Sequence, residues 1–232
     1  MSNLEKSDTI SAVPIQQREG FLIKTKRQFL QYVVGLLILA LGAVLLKKAA
    51  LGMTPILSIP SAVSTVSPLS LGTTTMLFHV VCWVGILVLQ RRIDLKTLLI
   101  IPLAVVFGWI VDGYMFLLNF GELLLWARIL INLCGIAFTA LGIVIIVGCQ
   151  GILPAPDAFL RTVNVKYNIP LSKVKMTGDA IWVVLAILID LIFSHKLFLS
   201  VGAGTVLSVL LCGRLVGVFG KHLPWLTIKT EG

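Results

Sequence analysis

The sequence contains few charged residues: Asp, Glu, Lys and Arg make up 12% of its 232 residues. Soluble domains carry about 25%. Hydrophobic residues make up 58%, and the mean hydropathy is +1.03. Because so little charge cannot cover a water-soluble globule of this size, the composition argues against a soluble enzyme. It predicts an all-α, polytopic membrane protein, since the apolar residues suffice for about six segments of about 20 residues that each cross the bilayer.

The sequence also lacks the motifs of catalysis and cofactor binding. The four cysteines form no CxxC pair, and no HExxH, Walker loop, nucleotide fingerprint or Ser/His/Asp set occurs. We therefore expect no enzyme activity, no catalytic or metal-ligating residue and no cofactor. The net charge of +9 does not indicate a nucleic-acid partner. The basic residues lie between the apolar runs, where membrane topology explains them.

Continuous apolar runs predict six transmembrane helices, near 29–48, 72–90, 97–118, 124–148, 177–194 and 198–219. These runs do not alternate in hydrophobicity as β-barrel strands do. Residues 1–27 lack the apolar core of a cleavable signal peptide and are expected to form a cytosolic tail, as are residues 221–232. With a cytosolic N-terminus, only four of the 19 Lys and Arg residues lie outside: Lys47, Lys48, Arg128 and Lys196. The positive-inside rule therefore places both termini in the cytosol.

The two halves of the chain share a pattern at a spacing near 100 residues. Ala40–Val44 and Ala140–Val144 are nearly identical, and a Gly-x-x-Pro motif follows each, ending at Pro55 and at Pro154. A unit of three spans is odd, so the second copy must enter the membrane from the opposite side. The pattern therefore predicts two inverted three-helix repeats, residues 28–120 and 121–220, an architecture that is common among secondary transporters.

Each half contains a short segment, 52–70 or 154–170, that is too interrupted to span the membrane. Pro55 fits the first turn of a short helix, and Thr54 fits its cap. If the N-termini of two such helices point inward, their backbone N–H groups face an anion or a polar ligand. The alternative is an amphipathic connector lying on the membrane surface, which stays open above all for the charged segment 154–170. We assign substrate binding to Thr54, Pro55, Ser58, Pro154, Asp157 and Thr205.

Ionisable residues inside the spans invite a functional interpretation, because each charge in the hydrocarbon costs about 2.5–3.5 kcal/mol on insertion scales. His79 and Asp112 lie at nearly the same depth on consecutive antiparallel helices, so we expect them to face each other and to exchange protons. A structural role is the alternative. Asp179 and Arg214 are expected to form a structural or gating pair, unless both side chains reach the interface. Asp190, near the outer end of its helix, is expected to reach water.

Glycine-rich motifs resemble the YczE/YyaS/YitT group of bacterial integral membrane proteins over residues 28–220. The motifs are Leu51–Pro55, Ser70–Thr73, Gly108 with Asp112, and Gly202–Thr205 with Gly213. Similar proteins usually carry an aromatic-Asp pair just after the first Gly-x-x-Pro, where this chain has Ile56 and Leu57. The resemblance implies a location in the bacterial cytoplasmic membrane and a transport role, and it supplies no substrate.

These patterns together predict a secondary transporter of a small solute with proton coupling. The expected partners are the lipid bilayer and the solute, and a homo-oligomer stays open. Gly213 and Gly217 form a small-xxx-small face, which is typical of close helix packing. The alternative function is a non-transporting scaffold or accessory factor for another complex or for a biosynthetic enzyme.

Overall fold

The computed structural model describes residues 26–91, 94–121, 123–149, 152–194 and 200–222. The predicted tails therefore fall almost entirely outside the described residues, as does Lys196. Every regular element in these ranges is an α-helix. The helices are α1 Lys26–Ala49, α2 Pro55–Val66, α3 Leu71–Gln90, α4 Leu95–Leu117, α5 Leu125–Gly148, α6 Ala155–Tyr167, α7 Leu171–Ser194 and α8 Ala203–His222.

Six of these helices, α1, α3, α4, α5, α7 and α8, are long and apolar enough to cross a membrane. The predicted all-α, six-span fold class is therefore confirmed. The largest boundary difference is in α7, which begins at Leu171 and not near residue 177. The apolar run indicates only the hydrocarbon crossing. The helix itself begins directly after Pro170, since a proline fits the position before a first turn, and its polar first turns extend beyond the apolar run.

The outward faces of the long helices are apolar and exposed. Phe116 is 87% exposed, and Trp109, Val88 and Phe193 each expose about two thirds of their surface. A monomeric soluble protein rarely exposes apolar patches of more than a few hundred Å². These faces therefore fit a lipid environment, and the chain is a multi-pass membrane-spanning protein.

The two short helices each pack against a long helix from the other half of the chain. α2 lies against α7, where Ala62 and Ala186 are both fully buried in one apolar cluster. α6 lies against α3, where Phe159 fills the space left by Gly85. Each short helix has a proline in its first turn, Pro55 in α2 and Pro156 in α6. Pro154 is the cap residue of α6. This exchange joins the two halves.

The most extensive helix contact joins α1 and α5, which run antiparallel. Glycines on each helix meet side chains on the other: Gly35 faces Ile146, Gly135 faces Leu46, Gly42 faces Thr139 and Gly142 faces Leu39. These contacts form reciprocal pairs at the repeat spacing of 100 residues. Gly35 meets Ile146, and Gly135, 100 residues after Gly35, meets Leu46, 100 residues before Ile146. The Gly42 and Gly142 contacts have the same relation. Glycine is required here, since a Cβ on Gly42 would lie 2.6 Å from the backbone nitrogen of Thr139.

The final hairpins of the two halves differ. α3 packs closely along α4, with Gly72 against the backbone of Gly108. Within the described part of the chain α7 and α8 have no comparable contact, and α8 packs on α5 instead. Gly213 and Gly217 have open space where a Cβ would be. The small-xxx-small face that predicted close packing is thus unused among the described residues, because α7 does not cover it.

Replacing Gly42 with alanine is expected to destabilise the protein by about 1–3 kcal/mol, the usual cost of overpacking. The added methyl group would overlap the backbone of Thr139, which cannot move aside as a flexible side chain can. The measurement is the thermal unfolding temperature of the purified protein in detergent. Gly213→Ala is the matched control, because that position has no atom within 4 Å of the added group. An equal loss of stability in both variants would contradict the close crossing.

Candidate functional site

A small, partly open cavity of about 20 Å³ lies between α1, α3, α4 and the start of α6. Its lining includes Tyr32, His79, Phe107, Leu153 and Pro154. A volume of this size accommodates about one water molecule. The cavity thus brings one of the predicted substrate residues, Pro154, together with one of the predicted proton-coupling residues, His79.

Among the residues that line this cavity, His79 is the side chain best suited to take up and release a proton. It is 4% exposed, and its Nδ1 lies 2.7 Å from the carbonyl oxygen of Thr75. A carbonyl only accepts hydrogen bonds, so this contact requires a proton on Nδ1 and leaves Nε2 as the nitrogen that can take up a further proton. The ring also lies beside Phe107, with centroids 6.0 Å apart.

Asp112 is hydrogen-bonded to the beginning of α3 and not to His79. Its carboxylate accepts from the Ser70 hydroxyl at 2.6 Å and from the Gly72 amide at 2.7 Å. The expected face-to-face pair is therefore not joined by a hydrogen bond. The close Gly72–Gly108 crossing brings Asp112 level with the first turn of α3, where the unpaired N–H groups and the helix dipole favour a carboxylate.

Asp157 and Asp179 share one cation, Lys175. Its Nζ lies 3.0 Å from Asp157 Oδ1 and 4.0 Å from Asp179 Oδ1. Arg214, the partner expected for Asp179, is exposed on α8 instead. The pairing follows from position: Lys175 and Asp179 are four residues apart on α7, whereas α8 is not packed along α7.

The remaining predicted substrate residues lie together near the beginning of α2. Thr54 is the cap residue, but its side chain makes no capping hydrogen bond; its carbonyl accepts from the Ser58 hydroxyl at 3.0 Å. The adjoining segment bonds to the beginning of α8: Met53 N donates to Ser200 O, and Gly204 N donates to Leu51 O at 2.7 Å.

Thr205 also lies at this junction. A Cβ added to Gly52 would lie 2.5 Å from its hydroxyl oxygen. The structure thus brings Thr54, Pro55, Ser58 and Thr205 to one region, and Pro154 and Asp157 to another.

Sequence reasoning missed two polar residues at these regions, Tyr32 and Asn132. The Tyr32 hydroxyl donates to the carbonyl of Ile152, just before α6. Asn132 is 1% exposed beside Gly204, and neither its nitrogen nor its oxygen has a hydrogen-bond partner among the described residues. Their numbers differ by 100, the repeat spacing, which was the available signal.

Two charged residues also differ from expectation. Asp190 is fully buried and does not reach water; its carboxylate accepts from the backbone amide and the hydroxyl of Ser200. Lys47, treated only as an outer topological charge, donates to Ser61, Ser64 and Thr65 on α2. Lys47 reaches its partners because α2 packs near the end of α1. Asp190 reaches Ser200 because the beginning of α8 lies near the end of α7.

Comparisons with known proteins add little to this geometry. Residues 26–221 match a family described as a family of unknown function, DUF6198. The match does not connect the chain to the YczE/YyaS/YitT group, so that resemblance stays a prediction. No curated protein and no solved structure matches the chain. In the described part of the chain, no three His, Cys, Asp or Glu side chains are grouped to hold a metal ion.

Replacing Asp112 with alanine is expected to lower stability by about 1–3 kcal/mol, since it removes a charged acceptor from two donors at the beginning of α3. The measurement is again thermal unfolding in detergent. Asp94→Ala is the matched control, because Asp94 is the cap residue of α4 and makes no side-chain capping bond. If both variants unfold at the wild-type temperature, the Asp112 bonds do not contribute to stability.

Proposed function

We propose that this chain, which belongs to the family of unknown function DUF6198, is a secondary transporter that moves a small solute across the membrane. One observation carries the proposal: each half contains a short helix that begins between long helices and packs against the other half. Irregular backbone at membrane depth is tolerated only where protein or a wet cavity shelters it. Transporter folds use such helix ends to bind their solutes.

The reciprocal contacts between α1 and α5 support an inverted repeat. In a two-fold interface, if residue i of one copy meets residue j of the other, then j of the first meets i of the second. The Gly35–Ile146 and Gly135–Leu46 contacts have this relation. The same exchange of halves relates the packing of α2 on α7 to that of α6 on α3. The proposed axis passes through the crossing, in the membrane plane.

The solute binds near the beginnings of the two short helices. Thr54, Pro55, Ser58 and Thr205 form the outer region of the site, and Pro154 and Asp157 form the inner region. Both termini are cytosolic in this arrangement, and the membrane is the bacterial cytoplasmic membrane. Asp179 acts with Lys175, and with Arg214 when α8 moves, as a gating group.

Proton coupling is assigned to His79. Its free nitrogen, its burial and its place in the cavity beside α6 support this assignment. Asp112, the second residue proposed to couple protons, would have to leave the Ser70 and Gly72 donors in order to exchange a proton with His79.

This proposal makes Asp112→Asn a direct test: pH-dependent uptake should be lost, and unchanged uptake would remove Asp112 from the mechanism.

His79→Gln is expected to abolish solute accumulation driven by a pH gradient while leaving solute exchange intact. The measurement is counterflow and gradient-driven uptake in proteoliposomes, with ligands first identified by a thermal-shift screen of small metabolites. His222→Gln is the matched control: its Nδ1 contacts the carbonyl four residues earlier, as in His79, but the side chain is exposed. Gradient-driven uptake that survives His79→Gln would contradict proton coupling through this residue.

Single cysteines near the two helix beginnings are expected to react with a membrane-impermeant maleimide from both sides of the membrane. Suitable positions are Ser58 and Phe159, in a background from which the native cysteines have been removed. Val144→Cys, at a buried position of α5, is the control and should stay protected. Protection of all three positions would favour the alternative, a non-transporting scaffold.

A further inference from the structure

Asn132 is a buried side chain whose hydrogen-bonding groups are unused within the described chain. It lies on α5, is 1% exposed, and has an unpaired amide nitrogen and an unpaired amide oxygen. Leaving a buried polar group unpaired costs about 1–3 kcal/mol. An apolar residue of similar size would avoid that cost, so the amide requires an explanation.

The amide is directed at the beginning of α8. Its nitrogen lies 2.6 Å from the position that a Cβ on Gly204 would occupy. Gly204 is the second residue of α8, a helix of 20 residues. The first N–H groups of a helix carry partial positive charge and favour an anionic oxygen. In α8 the Gly204 N–H group donates to the Leu51 carbonyl, so a ligand at this place must replace that acceptor.

A second helix begins beside the same place. Gly52, two residues before the cap of α2, lies against Thr205 and the amide of Gly202. The cap residue Thr54 keeps its hydroxyl uncommitted to capping and is 9% exposed. The beginnings of α2 and α8 therefore approach each other beside the Asn132 amide, and both favour the same sign of charge.

Two charged side chains, one of each sign, lie near this place. One turn before Asn132 on α5, the Arg128 guanidinium donates to the carbonyls of Ala49 and Ala50. The nearby acid, Asp190, accepts two hydrogen bonds from Ser200. The Arg128 charge favours an anion, and the two bonds from Ser200 offset part of the opposing Asp190 charge, while the Asn132 amide supplies an unpaired donor and an unpaired acceptor.

We propose that Asn132, with the beginnings of α8 and α2, binds a small carboxylate that has a hydrogen-bond donor on the neighbouring carbon. The carboxylate oxygens accept from the Asn132 amide nitrogen and from the helix N–H groups. The neighbouring donor, a hydroxyl or an ammonium group, pairs with the amide oxygen. This inference rests on the proposed transport function and gives the substrate class of its outer site.

Access to the site requires one segment to move. Residues 50–54 join the beginning of α8 through the Met53–Ser200 and Leu51–Gly204 backbone hydrogen bonds. Gly52 has φ +118°, a conformation that only glycine adopts readily. Breaking these two bonds uncovers the amide, and the carboxylate then takes the place of the Leu51 carbonyl at the Gly204 N–H group.

The test measures ligand binding to the purified protein by thermal shift and by isothermal titration calorimetry. The probes are lactate and alanine, which carry the donor, propionate, which lacks it, and lactamide, which lacks the carboxylate. Lactate or alanine should bind at least about tenfold more tightly than propionate, as expected for loss of a hydrogen bond to a buried partner. Lactamide should not bind. Equal binding of all four probes, or of none, would overturn the proposal.

Two variants separate binding from folding. Asn132→Leu should unfold at the same temperature as the wild type or higher, since it removes the unpaired amide, and it should no longer bind lactate or alanine. Asn164→Leu is the control, because the amide of this α6 asparagine is already paired with the Ile169 carbonyl, and it should keep their binding. An Asn132→Leu protein that binds lactate and alanine like the wild type would refute the site, and binding of inorganic phosphate alone would refute the carboxylate class.

Failure of the binding site and failure of the transport function give different combinations of binding and counterflow. Asn132-dependent binding without counterflow in proteoliposomes would remove transport and keep the binding site. Counterflow of a solute that is not a carboxylate, unaffected by Asn132→Leu, would keep transport and remove the site.

Discussion

The close antiparallel crossing of α1 and α5 is the constraint on which the rest of the structure depends. Helices in lipid gain little from the hydrophobic effect when they associate, so close backbone approach through small residues must stabilise them. Gly42 and Gly142 permit that approach. The ends of the crossing then position the two irregular segments: Tyr32 on α1 binds the segment before α6, and Arg128 on α5 binds the segment after α1. These two bonds hold the beginnings of α6 and α2, where the solute is proposed to bind.

Polar side chains inside the spans fix the short helices and loops to this crossing. Lys47 donates to the hydroxyl-bearing face of α2, where the C-terminal end of the helix dipole favours a cation. Asp190 and Asp112 each accept from a backbone amide near the beginning of a long helix. Each charge in the hydrocarbon is costly, and hydrogen bonds to several donors or acceptors offset that cost. Asn132 is the contrast, because its amide is buried without such partners.

The sequence predicted the six spans and the two short helices, because apolar run length and proline position act locally. The spacing of 100 residues relates Gly42 to Gly142, but it did not predict that α1 and α5 cross at these residues. Partner choice was less predictable. Asp112 and His79 were expected at the same depth, but the Gly72–Gly108 contact places the Asp112 carboxylate level with the first turn of α3, about two turns from His79. Asp190 looked close to water, yet Ser200 covers it after the chain reverses. The register of neighbouring helices and the reversal of the chain depend on tertiary packing, which no single segment encodes.

The unequal hairpins described above have a consequence for how the chain is built during synthesis. In the first half, α3 and α4 are made consecutively and can associate as soon as both are in the membrane. In the second half, α7 rests on α2 and α8 rests on α5, both of which are made earlier. The later helices are therefore assembled on a surface that the earlier helices provide. A chain interrupted after α4 would already contain a stable helix pair, whereas the second half made alone would lack the support that α7 takes from α2.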